Sequence, residues 1–177
     1  MKQHTLTCAG AVLAAACALE PPTPAAGIPD ALKPAASEVQ MQTLAARGVQ
    51  TYQCRRVQDD PQSTEWAFIA PEADLFDAQG RHVGQHHAGP RWESLDGSKV
   101  TGTVTARAAA PRDDAIPWLL LAARADGLDG AFARVTSIQR INTSGGAAPS
   151  PAGCGMESLG KIARVAYSAD YVMFERK

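Results

Sequence analysis

The sequence predicts an all-β protein, an antiparallel sandwich or small barrel of roughly ten short strands in a single domain. Three observations lead there. Glycine and proline, 15 and 12 of 177 residues, punctuate the chain at short intervals. No segment sustains a long apolar period of 3.6 residues. Residues 98–108, SKVTGTVTARA, alternate for longer than any other stretch, with Val100, Gly102, Val104 and Ala106 on one face and Thr101, Thr103, Thr105 and Arg107 on the other. The length suits one core, since about 150 residues bury roughly 70% of the surface of the unfolded chain. Lys and Arg number 17 against 18 Asp and Glu, with no basic run to track phosphates, so nucleic acid is not an expected partner.

Residues 1–18 have the layout of a secretory signal peptide: a weakly basic start at Lys2 and His4, an apolar run from Leu6 to Cys17, then small residues. Two processing routes fit. Ala16-Cys17-Ala18 is a site for ordinary cleavage, whereas Leu13-Ala14-Ala15-Ala16-Cys17 resembles a bacterial lipoprotein box, with its large aliphatic residue one place early, that would make Cys17 a lipidated first residue. Both put the mature chain outside the cytoplasm, periplasmic or secreted, with a membrane contact only through lipid on Cys17. Residues 19–36, rich in Pro and Ala, read as an extended tether, and 37–177 as the domain.

Within the domain, Val39, Met41 and Thr43 alternate with Gln40 and Gln42. A helix over 38–47 is the alternative, but the alternation and Gly48 favour a strand, a bulge, and a second strand carrying Tyr52 and Cys54 to one face. Asp59-Asp60-Pro61 is a turn; residues 65–80 give two short strands broken at Pro71, and 81–87 a third. In GQHHAGPRWESLDGSKVTG, residues 84–102, Gly89-Pro90 and Asp96-Gly97 are turn signals at hairpin spacing, with Trp92 pointing inward between them. IPWLLLAA at 116–123 is an apolar strand, 132–143 another, 145–155 a loop, and 164–175 one or two closing strands.

Cys8 and Cys17 belong to the leader or its boundary, which leaves Cys54 and Cys154. In an oxidising compartment that pair is expected to form a structural disulfide. No C-x-x-C or adjacent histidine accompanies them, so no metal site is expected.

Six blocks then carry a resemblance: GVQTYQC, W-x-F-x-APEA-x-L, VGQHHAGPRWESLDGSKVTG, AIPWLLLAA, VTSIQRINTSGGAAP and ADYVMF. In that order and spacing they resemble the domain-of-unknown-function 3455 family, over nearly all of residues 48–174. The resemblance implies an exported protein of bacterial or fungal type, without an assigned activity. Some members carry a dehydrogenase label, but Gly127 and Gly130 make no G-x-G-x-x-G here, and no βαβ pattern surrounds them. His87 departs from the aromatic residue expected at its position, which leaves His86 the better candidate.

Two function classes follow. The first is a binding or envelope-associated module for a small ligand, with His86, Trp92 and Trp118 as ligand-binding candidates and no cofactor; Trp66, Tyr52, Phe68 and Phe132 are further aromatics for a pocket. The second is a small extracytoplasmic enzyme in which His86 exchanges a proton with Asp96 or Glu93 across the hairpin. Alternation favours Asp96, which has the parity of Trp92, over Glu93, which should face away. His82 and His86 lie four apart on one face, about 13 Å at 3.3 Å per residue, too far to share a metal. Asp126 to Gly130 supplies too few oxygens for calcium.

Overall fold

The computed structural model describes residues 27–177, so the signal peptide expected at 1–18, with Cys17, lies outside the described residues. Eight strands follow one another: β1 (Glu38–Val57), β2 (Asp60–Phe76), β3 (His82–His87), β4 (Arg91–Ser94), β5 (Lys99–Ala108), β6 (Trp118–Ala125), β7 (Ser137–Gly145) and β8 (Ile162–Arg176). Each pairs antiparallel with the next, and β8 returns to β1, closing a barrel. Of the two architectures expected for the chain, this is the one in which the first and last strands pair and leave no edge strand.

There are eight strands rather than ten because β1 and β2 run through residues that look like breaks. Gly48 stays in register opposite Ala73 and Tyr167. A Cβ there would fall 2.0 Å from the Glu72 carbonyl oxygen, so this glycine permits close strand approach and is not a bulge. The register of β1 shifts instead between Gln40 and Gln42 against β8, and between Thr51 and Tyr52 and between Arg56 and Val57 against β2. Pro71 pairs with Gln50, but β3 meets β2 only from Ala73, so the proline occupies a locally free edge where a missing N–H is tolerated. The strand expected from residue 132 begins only at Ser137, because Phe132 is used otherwise.

Up-and-down order places the β1–β2, β3–β4, β5–β6 and β7–β8 connections at one end, the mouth, and the other three connections at the opposite end. That opposite end is plugged by the β6–β7 connection, whose Phe132 and Val135 are buried in the same interior cluster as Leu44, Leu75 and Met173. At the mouth, the Cys54–Cys154 disulfide expected from the sequence ties the β7–β8 connection to β1.

The outer face carries an apolar patch where Trp118, Ile141, Val172 and Phe174 meet Leu32. Leu32 ends a 3-10 turn, Asp30–Leu32, and is fully buried, while the Gln139 Nε2 donates to its carbonyl at 2.6 Å. Residues 27–36 are therefore docked on the barrel wall rather than extended as a tether, because the outward side of β6, β7 and β8 is too apolar to leave wet. Elsewhere the outer face carries ion pairs such as Arg164–Glu72 and Lys99–Glu93. This is the reverse of the apolar-out pattern of a barrel that spans a bilayer.

Candidate functional site: the cavity at the barrel mouth

The β3–β4 hairpin turns through Ala88, Gly89 and Pro90, with Gly89 at a φ of 94° that favours glycine. Its register sets His86 opposite Trp92, and both point into the barrel. The rings stack at 4.3 Å with an interplanar angle of 16°, and Tyr171 from β8 meets both edge-on at 5.1 and 5.3 Å. Gly102 on β5 makes the slot for the indole: a Cβ there would sit 2.9 Å from Trp92 Cζ3.

The His86 Nδ1 lies 2.9 Å from the Arg91 carbonyl, which can only accept, so Nδ1 carries the proton and Nε2 the lone pair. Burial pushes the imidazole pKa down to about 3, and the positive charge of Arg140 acts in the same direction, against the hydrogen bond to Arg91. At neutral pH His86 is an uncharged, backbone-anchored ring.

Neither carboxylate joins it. Glu93 faces outward, as alternation requires, 3.0 Å from the Lys99 ammonium and 3.9 Å from His87. Asp96 lies beyond the end of β4, in the β4–β5 turn at the plugged end, where strand parity no longer applies. It accepts hydrogen bonds from the Ser98 N–H (2.9 Å), the Ser98 hydroxyl (2.6 Å) and the Ala131 N–H (2.8 Å). These donors, Ser98 foremost, hold its carboxyl well below the usual range. Asp96 thus fastens the plug to the barrel, and the proton-transfer pair expected with His86 is not assembled.

Two further expectations are corrected by register. A bulge in β3, where Leu75 meets Gly84 but Phe76 meets His82, reverses the parity at Val83. His82 therefore lies on the outer face, 3.3 Å from Asp74, and not on the face of His86. Trp118 lies under Leu32 on the outer wall, outside the cavity. Trp66 donates from Nε1 to the Ser150 carbonyl, and Phe132 belongs to the plug, so Trp92 is the tryptophan that reaches the interior site.

Above the stacked rings a cavity of about 350 Å³ opens to solvent at the mouth. Trp92, Leu119 and Leu121 form its apolar inner wall, and the exposed Phe68, Ile69 and Val104 its rim. Its polar groups include Gln50, Arg107 and Arg140, none of which the sequence singled out. Arg107 reaches it through a bulge at Thr105: Val104 pairs with Leu121 and Ala106 with Leu120, so Ala106 turns to the outer wall and Arg107 joins the face of Val104. Arg140 projects inward from β7, between Leu119 and Tyr171 in register, and donates from Nε and Nη2 to the Pro117 carbonyl at 3.1 and 2.8 Å. Tyr52 closes the side of the β7–β8 connection by donating to the Gly146 carbonyl at 2.6 Å.

No aspartate or glutamate among the described residues lines this cavity. Among the described residues no group of three or more His, Cys, Asp or Glu side chains is placed to hold a metal ion. The arrangement can enclose a small molecule on an apolar wall and offer it hydrogen-bond donors.

No curated protein and no solved structure matches the chain significantly. A family match spans residues 34–175, from just before β1 to the penultimate residue of β8. On that match the chain belongs to the family described as "Protein of unknown function (DUF3455)".

Proposed function

We propose that this protein is an exported binding module that holds a small ligand in the mouth of its barrel. The observation that carries the reading is the open cavity of about 350 Å³, walled by apolar side chains with a few convergent polar groups. That volume is at the lower end of the range of about 300–1,000 Å³ for small-molecule pockets, and barrel mouths are a recurring place for them. His86 serves as a fixed wall of the pocket, anchored to Arg91 and stacked on Trp92. Export is supported by the leader layout of residues 1–18 and by the Cys54–Cys154 disulfide, a bond that persists in oxidising compartments. Whether Cys17 is cleaved off or lipidated is read from the mass of the mature N-terminal peptide.

The test is a thermal-shift screen of small apolar and amphiphilic molecules, since a ligand that binds only the folded state raises its stability by RT ln(1 + [L]/Kd). A true hit should lose its effect in Val104→Trp, which fills the rim without touching the core below. An absence of hits, or hits indifferent to that substitution, refutes a ligand site at the mouth.

A further inference from the structure

The mouth cavity carries an unbalanced charge. Arg107 and Arg140 line it, and among the described residues no acidic side chain does and neither arginine takes part in an ion pair. Arg140 is half-buried, and its two hydrogen bonds both go to one carbonyl, which orients the guanidinium but leaves its charge without a counter-charge. Every neighbour that could offset it is neutral or a further donor. His86 is uncharged, and burial raises the pKa values of Tyr52 and Tyr171, keeping both phenols protonated.

Two donors in the surrounding wall are buried without acceptors. Gln50 is 2% exposed and lines the cavity, yet its Nε2, beside the Tyr167 hydroxyl, makes no well-formed hydrogen bond. The Nε1 of Trp92, 1% exposed and in the same wall, has no partner either. Both atoms have essentially no accessible surface and lie behind the cavity wall, so what the site presents to a ligand is the guanidinium charge: a half-buried cation without a counter-charge is complementary to an anion.

Resting on the reading of the mouth as a ligand site, we propose that its ligand is a small amphiphilic carboxylate. Its carboxylate pairs with Arg140, with Arg107 adding positive potential at the rim, and its hydrocarbon body lies against Leu119, Leu121 and the Phe68–Ile69 edge. A planar guanidinium suits a carboxylate bidentately. Phosphate fits less well, because its additional charged oxygens would meet a wall that is mostly apolar.

The experiment is isothermal titration of the mature protein at pH 7 with sodium octanoate and, separately, octan-1-ol, which share a chain and differ in the head. Octanoate should bind one site at least about tenfold more tightly than the alcohol, the difference expected of one charge-assisted pair. Arg140→Gln should abolish that preference by weakening octanoate far more than octanol, and Arg107→Gln should weaken octanoate by about two- to threefold. If Arg140→Gln fails to fold, the comparison of acid and alcohol on the unaltered protein still decides. Equal affinity for acid and alcohol overturns the carboxylate inference and leaves the ligand site standing. Displacement of octanoate by equimolar inorganic phosphate overturns the role given to the hydrocarbon body. Failure of both compounds to bind overturns the inference; the ligand site itself falls only if the thermal-shift screen also yields no hit.

Discussion

Acidification should destabilise this barrel through His86 well before its carboxylates begin to protonate. The folded pKa of about 3 is depressed from 6.5, so between those values the unfolded chain binds a proton that the folded chain refuses. Stability therefore rises with pH across that window and is lost as pH falls through it. Taking 6.5 for the unfolded imidazole and about 3 for the folded one, the change between pH 7 and pH 5 comes to about 2 kcal/mol. Asp77, Asp96 and Asp114 are held below their ordinary 3.8, so the stability they contribute is present at pH 5 and disappears only at more acid values. Urea unfolding at pH 7, 6 and 5 measures the slope, and His86→Gln isolates it: an amide can still donate to the Arg91 carbonyl but takes up no proton. The variant should be less stable at pH 7 for want of ring stacking, yet show a flatter dependence down to pH 5. An equal slope in both proteins, or an imidazole NMR titration of His86 near 6.5, would refute the reasoning.

Three other outcomes are expected. Intact mass before and after reduction and alkylation should show the Cys54–Cys154 bond, and replacing both cysteines by alanine should cost about 4 to 5 kcal/mol for a closed loop of this length, read by urea unfolding. Gly97→Val, at a φ of 88°, should lower stability by more than about 1 kcal/mol, and an unchanged melting curve would count against the strained turn. Leu32→Ala should cost about 2–5 kcal/mol, because that fully buried side chain seals the outer patch of Trp118, Ile141, Val172 and Phe174; a loss below about 0.5 kcal/mol would mean that residues 27–36 are only loosely applied.

Much of the fold was legible because alternation survives wherever the ladder is regular. The first part of β5 and the β3–β4 hairpin are such places, and there the sequence places Trp92 inward and Glu93 outward as they are found. The strand count was not legible, since Gly48 and Pro71 look like interruptions until their neighbours are known: one relieves a close approach to β2 and the other occupies a free edge. Trp118 misled for a different reason. The run IPWLLLAA is buried on both sides, by the barrel interior and by Leu32, so no periodicity tells which of its residues face the cavity.

The cavity itself was illegible because its chemistry is delivered where register breaks. At the rim of β2, Ala70 pairs with Thr51 but Phe68 pairs with Tyr52, so Ile69 is the extra residue of a bulge, and two sequence neighbours line one cavity. In β5 the bulge at Thr105 turns Arg107 to the side of Val104, a residue that strict alternation puts on the opposite face. A bulge inserts one residue, kinks the strand and re-aims the side chains beyond it. Lower in the barrel, where the interior is filled by side chains such as Leu44, Leu75 and Ile138, re-aiming of this kind would expose apolar groups or bury charges. At the mouth it has the opposite effect: it brings an arginine and two large apolar side chains over a space the core does not fill. Sequence parity therefore fails at the mouth for the same physical reason that the mouth can hold a ligand.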